Sequence, residues 1–304
     1  MPIPATSRRR DVPSRATIVV VPRERFSFAR ESLESIYEHT PPPVRLVYVD
    51  GGSRPSVARD LRAAAAARGF ELLRTDEYLT PNRARNLGAA RAETPYVVFV
   101  DNDVLVTAGW LDALVDCADA TGAAIVGPLC LEGALADEKI HIAGGTLSFV
   151  EEHGTRVLRE RHRHAGRRLS SLAGTLEREA CDVVEFHTML VRRDVLLRVG
   201  PLDERLTTRE HVDLCLAVRD AGESIWFEPA AVMTYMAPPP FAWSDVLYYR
   251  RRWKRRVALA SLHRFAAKWG VAVERRHRVF LARHRRRLVA SLLPPSLRPW
   301  LRVR

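Results

Sequence analysis

An α/β fold built on a doubly wound, mostly parallel sheet is predicted by three features of this sequence. Residues 17–21 (TIVVV) form a β-branched run closed by Pro22, the composition of a strand buried on both faces. Strand-like apolar runs then alternate with helix-like stretches through residue 126, the pattern that successive βαβ units leave in a sequence. Two of those runs end in acidic residues, Asp50 and then Asp101 to Asp103, at the carboxyl rim where such sheets bind ligands.

The first strand, 16–21, is followed by a helix over 28–38, with Leu33, Ile36 and Tyr37 at helical spacing, and by a second strand over 44–49 after the proline-rich stop at 40–43. The unit repeats: alanine-rich 55–68 is helical, 70–73 a brief strand, 82–91 a helix, and 96–100 a strongly apolar strand. A helix over 110–120 and a strand over 123–126 continue it. Residues 132–179 lose periodicity, become rich in Arg, His and Gly, and are expected to form a long functional insertion or lid. Regularity returns at 183–191, with helices over 194–199 and 210–221 and a strand over 225–227. Beyond Pro238-Pro239-Pro240, clusters of Arg and Lys interleave with Trp253, Leu262, Phe265, Trp269, Phe280, Trp300 and Leu301, which predicts basic amphipathic helices.

At 304 residues and 47% hydrophobic, the chain can bury one large core and carry a terminal appendage. Cys117, Cys130, Cys181 and Cys215 lie far apart without a CxxC pair, so they predict small buried residues in a reducing compartment, not a zinc knuckle or a disulfide framework. Neither the Arg8-Arg9-Arg10 cluster nor any later segment leads into an apolar run of about 18 residues, so a cytoplasmic protein is expected. The net charge of +12 predicts attraction to an anion: a nucleotide diphosphate, a lipid headgroup or a nucleic acid.

The sharpest chemical signal is Asp101-Asn102-Asp103 after Val-Val-Phe-Val. Hard cations such as Mn²⁺ or Mg²⁺ are held by one or two carboxylates together with substrate phosphates, and this triplet leaves room for a diphosphate. A plain strand-to-loop turn has the same composition. Asp50, followed by Gly51, Gly52 and Ser53, can accept from a base N–H or a ribose hydroxyl, or can simply cap a turn. Arg83, Arg85 and Asn86 lie on the helix feeding the acidic strand, where a guanidinium reaches phosphate oxygens and an amide orients a carboxylate, or where all three are a solvated face.

These segments, taken in order, resemble family 2 glycosyltransferases, inverting enzymes of the GT-A fold. The likeness runs from about Ala16 to Tyr235 and rests on the strand ending in Pro22, Val49-Asp50-Gly51-Gly52-Ser53, Asn82-Arg83-Ala84-Arg85-Asn86-Leu87-Gly88, and Asp101-Asn102-Asp103. It continues through Met189 to Arg193, Val199-Gly200-Pro201-Leu202-Asp203-Glu204, and Glu210-His211-Val212-Asp213-Leu214-Cys215.

The resemblance implies a nucleotide-diphosphate sugar donor contacted by Pro22, Asp50, Arg85, Asn86, Asp101 and Asn102, a Mn²⁺ or Mg²⁺ ion on Asp103 with Asp101, and a sugar or lipid-linked acceptor. It further implies a GT-A domain over 16–240, divided into a donor half (16–130) and an acceptor half (131–240). A disordered basic stretch (1–15) precedes it and a basic helical extension (241–304) follows, the latter offering peripheral contact with the inner face of the plasma membrane.

Three features depart from the family pattern, the first being Arg23-Glu24-Arg25 in place of the usual aromatic-Asn pair after the first Pro. Glu210-His211 replaces the usual Glu-Asp, leaving Glu210, His211 and Asp213 as candidates for the base that deprotonates the acceptor, with Glu210 and Asp213 sharing a helix face and His211 about 100° around the helix from Glu210. Tyr235 stands where the family often has a metal-binding His, with His187 as a compensating ligand. The same departures make a degenerate sugar-nucleotide binder an alternative reading. Nucleotidyl transfer would want a phosphate-cradling glycine loop that Pro22-Arg23-Glu24 is not. Charge-driven nucleic-acid binding leaves the acidic strand ends without a role, and no nucleic-acid partner is expected.

Overall fold

The computed structural model describes residues 14–172, 174–236, 242, 245–274, 277, 279, 281–284, 286 and 289. Four βα steps, the last with two strands, open the chain: β1 (Ala16–Val21), α1 (Ala29–His39), β2 (Arg45–Gly51), α2 (Pro55–Arg68), β3 (Glu71–Thr75), α3 (Pro81–Ala89), β4 (Tyr96–Asp101), β5 (Val104–Val106) and α4 (Trp110–Thr121). Next come β6 (Ile125–Glu132), β7 (Ile140–Ile142), β8 (Gly145–Glu152), β9 (Thr155–His162), β10 (Glu179–Cys181), β11 (Thr188–Arg192), α5 (Arg193–Val199), α6 (Glu210–Asp220), β12 (Ile225–Tyr235), α7 (Val246–Arg252) and α8 (Arg255–Trp269).

The main sheet runs β10-β12-β6-β11-β4-β1-β2-β3, with β5 and β7 paired to β12 and β6. The β1–β2, β1–β4, β2–β3 and β6–β12 pairs are parallel, while β11 is antiparallel to both β4 and β6. Period-two alternation sorts the central strands between two cores. Val19, Val21, Val97 and Phe99 face one layer, which also holds Ala84 of α3, Leu214 of α6 and Phe265 of α8. Ile18, Val20, Val98 and Val100 face the other, with Leu33 of α1, Leu61 of α2 and Trp110 of α4. Helices therefore cover both faces, which explains why β1 and β4 are buried along their whole length instead of alternating. The close seat of α3 depends on Gly88, where an added Cβ would sit 2.2 Å from Val19 Cγ1.

Two expectations are corrected. The stretch 132–179 is not irregular: β8 and β9 form a two-stranded hairpin in register from Gly145↔His162 to Glu152↔Thr155, whose mixed exposure and charged composition hid its strand pattern. The last strand does not stop at Phe227 but continues to Tyr235, because a register shift between Glu228 and Val232 absorbs Pro229 within it. Residues 245–269 contain the helices expected there, and they pack against the core. Tyr249, Arg252, Trp253, Leu262 and Phe265 are buried, and Ser261 Oγ accepts from the backbone N–H groups of Thr207 and Thr208 at 2.9 and 3.1 Å.

The expectations for residues 1–13, Pro238 to Pro240, Phe280, Trp300 and Leu301 lie outside the described residues. No described helix is long and apolar enough to cross a membrane.

Candidate active site

Parallel pairing brings the carboxyl ends of β1, β2 and β4 to one rim, with Val21 opposite Asp101 in register. Asn102 is locked there by its N–H to Val21 O (2.9 Å) and by Nδ2 to Arg25 O (2.8 Å), which fixes the loop that carries its two aspartates.

Asp101, Asn102 and Asp103 are all buried, yet the two carboxylates are neutralised differently. Asp101 is ringed by cations: Arg85 Nη2 donates to Oδ1 at 2.8 Å, and His187 Nδ1 and Arg23 Nη1 lie 3.3 and 3.6 Å from Oδ2. Burial alone would raise its pKa, but Arg85, His187 and Arg23 bring it down to about 2. Asp103 has Arg25, whose Nε donates to Oδ2 at 3.0 Å, while Oδ1 is buried and accepts no hydrogen bond among the described residues. Burial raises its pKa against the pull of Arg25. Asp103 is thus short of positive charge, and its residues fit a divalent cation; Asp101, already held by two arginines and a histidine, fits that role less well than the sequence pattern implies.

The expected donor contacts are likewise redistributed. Arg85 is buried with its guanidinium 3.9 Å over the Phe186 ring and bonded to Asp101, so it orients a carboxylate instead of reaching for phosphate. Asn86 does not face the rim: Oδ1 accepts from Leu202 N–H and Nδ2 donates to Leu202 O, both at 2.9 Å, tying α3 to the loop after α5. Asp50 sits at the rim, but its Oδ1 accepts from Ser53 N–H (3.0 Å) and its Oδ2 from Ser53 Oγ (2.7 Å) and from Arg74, the turn arrangement that the sequence also allowed. Pro22 is buried, and its carbonyl accepts from Tyr248 Oη at 3.3 Å.

The first turn of α6 separates the three base candidates. Asp213 accepts from Lys268 Nζ (2.9 Å) and Trp269 Nε1 (2.7 Å), which fastens α6 to α8. Glu210 is buried and accepts from Arg252 Nη2 at 3.0 Å; burial would raise its pKa, but Arg252, Arg23 and Arg85 hold it below the usual carboxylate range. His211 lines a cavity of about 560 Å³ together with Glu210, Arg23, Glu160, Glu185 and Arg252, but it is not tied to Arg252 as Glu210 is. Its Nε2 lies 2.9 Å from Glu160 Oε1.

Sequence reasoning missed the carboxylates and histidines that surround this cavity. Glu160 and His162 arrive on β9, His141 on β7, and Glu185 just before β11. Glu160, His162, Glu185 and His211 form one group with metal-ligand spacing, and His141, Glu185 and His187 form another. Burial would raise Glu160 and Glu185, but the histidines hold both well below the ordinary range. The signal available was the histidine enrichment of 132–179, which carries no spacing rule because its members come from three segments. Tyr235 stacks on His187, ring centroids 4.0 Å apart, and His187 Nδ1 lies 3.3 Å from Asp101 Oδ2.

Residues 17–196 match the model for glycosyl transferase family 2. The chain is 26% identical over 233 residues to a pre-mycofactocin glycosyltransferase of Mycobacterium tuberculosis, covering 76% of this chain but 44% of that protein. It thus spans under half the length of the curated relative. Among solved structures, GalNAc-T7 with UDP, GalNAc and Mn²⁺ superposes with a TM-score of 0.57 at 16% identity, covering 77% of this chain and 47% of that one. Residues 1–349 of S. aureus TarS in complex with UDP-GlcNAc superpose with a TM-score of 0.53 at 14% identity, covering 95% and 78%. At such identities the likeness is one of fold.

Proposed function

Since this chain belongs to glycosyl transferase family 2 and has the GT-A fold, we propose that it transfers a sugar from a nucleotide-diphosphate donor to an acceptor hydroxyl, with His211 as the base. The observation that carries this reading is the His211–Glu160 pair opening on a cavity shared with Arg23, which itself lies beside Asp101. The donor lies along the carboxyl rim of β1, β2 and β4, and the acceptor occupies the cavity. Glu160, accepting from His211 Nε2–H, fixes the ring and leaves its second nitrogen to take the acceptor's proton. The acceptor oxygen then forms the new bond to the anomeric carbon while the bond to the diphosphate oxygen breaks on the opposite face, a single displacement with inversion. Arg23, only partly exposed at the cavity wall, is placed to meet the negative charge that develops on the departing diphosphate. Asp103 would hold Mn²⁺ or Mg²⁺, which supplies Lewis-acid screening of that leaving group.

Calorimetric titration with UDP, GDP and dTDP, each with Mn²⁺ and with chelator, tests the donor side. Metal-dependent binding of one nucleotide is expected, weakened at least about tenfold in Asp103→Asn, whose neutral amide is a poorer ligand for a hard cation. Absence of binding under every condition would remove the donor reading.

For the acceptor, we further propose a lipid-linked molecule at an anionic surface. A cavity of about 940 Å³ between α7 and the residues after α8 is lined by Arg250, Arg251, Lys254, Arg255 and Arg286 beside Leu247, Tyr249 and Trp253. That pairing of fixed positive charge with apolar and aromatic surface suits a headgroup and its chain. Co-sedimentation with phosphatidylglycerol vesicles but not with phosphatidylcholine vesicles is expected; equal recovery with both would count against it.

A further inference from the structure

We propose that His141, Glu185 and His187 form a second cation site, separate from Asp103, that takes a borderline transition-metal ion of the Zn²⁺ class. Both imidazoles turn Nε2 towards one carboxylate oxygen: His141 Nε2 lies 2.8 Å and His187 Nε2 3.1 Å from Glu185 Oε2. All three residues offer ligand atoms within 4.8 Å of one another.

The remote ring nitrogens are held as they are in metal centres. His187 Nδ1 faces Asp101 Oδ2 at 3.3 Å, and His141 Nδ1 faces Glu132 Oε2 at 3.4 Å. A carboxylate accepting Nδ1–H fixes the tautomer and leaves the Nε2 lone pair free for an ion, the carboxylate–histidine–metal pattern; Glu132 accepts in this way from His141, and Asp101 Oδ2 stands at ion-pair distance from His187 Nδ1. With those tautomers, two Nε2 lone pairs and a carboxylate oxygen converge and repel unless a proton or a metal lies among them.

The neighbourhood is rich in negative charge and rigid. Glu132, Glu185 and Asp101 come from β6, the lead into β11, and β4, and Asp101 N–H donates to His187 O at 3.0 Å, which fixes the height of the histidine relative to the aspartate. His187 is buried and stacked on Tyr235, while His141 and Glu185 are partly exposed and give an ion access. Two imidazoles and one carboxylate make a mixed nitrogen–oxygen set, which favours Zn²⁺ over the oxygen-seeking Mg²⁺ expected at Asp103. Three protein ligands leave a coordination position open. Arg23 Nη1, 3.1 Å from His187 Nε2, competes for that nitrogen, and Lys139 competes for Glu132. Filling the site exchanges protons for metal, so binding releases protons to solvent.

The test uses chelator-treated full-length protein titrated with Co²⁺, a spectroscopic stand-in for Zn²⁺, reading the visible d–d absorption and the protons released. One equivalent per chain is expected, displaced by Zn²⁺ and accompanied by proton release. His141→Gln and Glu185→Gln, each checked for native circular dichroism, should lose affinity at least about 100-fold. Glu132→Gln should weaken binding by about 10–100-fold through the outer carboxylate, whereas Arg23→Met should tighten it. Asp103→Asn should leave the cobalt spectrum unchanged even where nucleotide binding is lost, which separates this site from the donor reading. An absence of nitrogen-ligand bands in the wild type, or bands that survive His141→Gln and vanish in Asp103→Asn, would overturn the proposal.

Discussion

Replacing His211 with alanine lowers the turnover of sugar transfer by about 10²–10⁴-fold, the range a positioned general base contributes, and leaves nucleotide affinity within about twofold of the wild type. The asymmetry follows from geometry. His211 lines the cavity proposed for the acceptor, whereas the carboxylates of the proposed donor rim stand on β2, at the end of β4 and just after it, held by Ser53, Arg74, Arg85 and Arg25. Glu160→Gln is the companion variant. It keeps the ring in place but removes the charge beside Nε2, so the pH–rate profile should move towards lower pH together with a smaller drop in turnover. Initial rates across a pH series, with the donor identified by calorimetry, decide the matter. Full turnover in His211→Ala would exclude it as the base and return attention to a substrate-borne or water-mediated proton acceptor.

Replacing Arg252 with methionine destabilises the protein by about 3–5 kcal/mol, because it breaks a buried ion pair by removing one partner only. Arg252 is 1% exposed, donates to Glu210 at 3.0 Å and lies 3.8 Å from Glu24, which also accepts from Trp253 Nε1 at 3.2 Å. Its removal leaves two buried carboxylates with reduced compensation. The pH dependence has a definite sign. Glu210 has a folded-state pKa below its unfolded value of about 4.5, so the ion pair's stabilisation is present above that pH and is lost as pH falls through the folded value. The deficit of Arg252→Met should therefore be greatest near neutrality and shrink in acid, and Glu210→Gln should restore part of it. Urea unfolding midpoints of the single and double variants at neutral and acidic pH measure both effects, and equal midpoints for wild type and Arg252→Met would show that the pair contributes nothing.

The central sheet was legible because its strands are buried on both faces: β-branched runs bounded by Pro22, Gly51 and Asp101 can hardly be anything else. Residues 55–68 were legible as a helix from local composition alone. What escaped reading depends on contacts between distant residues. Arg25 meets Asp103 across 78 positions and Arg252 meets Glu210 across 42, and no periodicity announces either pair. Asn86 illustrates the converse: an amide on a helix near an acidic strand suits a ligand contact and a loop anchor equally, and only the position of Leu202 shows that it is the anchor. His211 was legible as a departure from a pattern, but its orienting partner Glu160 sits 51 positions away on a hairpin whose mixed exposure concealed it.

The reversed strand β11 has a mechanical consequence. Its parallel neighbours deliver their last residues to the rim, whereas β11, running the other way between β4 and β6, delivers the residues that precede it, Glu185 to His187, to the same edge. Chain therefore leaves the sheet and enters it side by side, and the bond between Asp101 N–H and His187 O bolts the outgoing strand to the incoming one. The acidic loop and the histidine segment cannot drift independently. They form one fixed edge of the site, so the position of Asp103 follows that of His187.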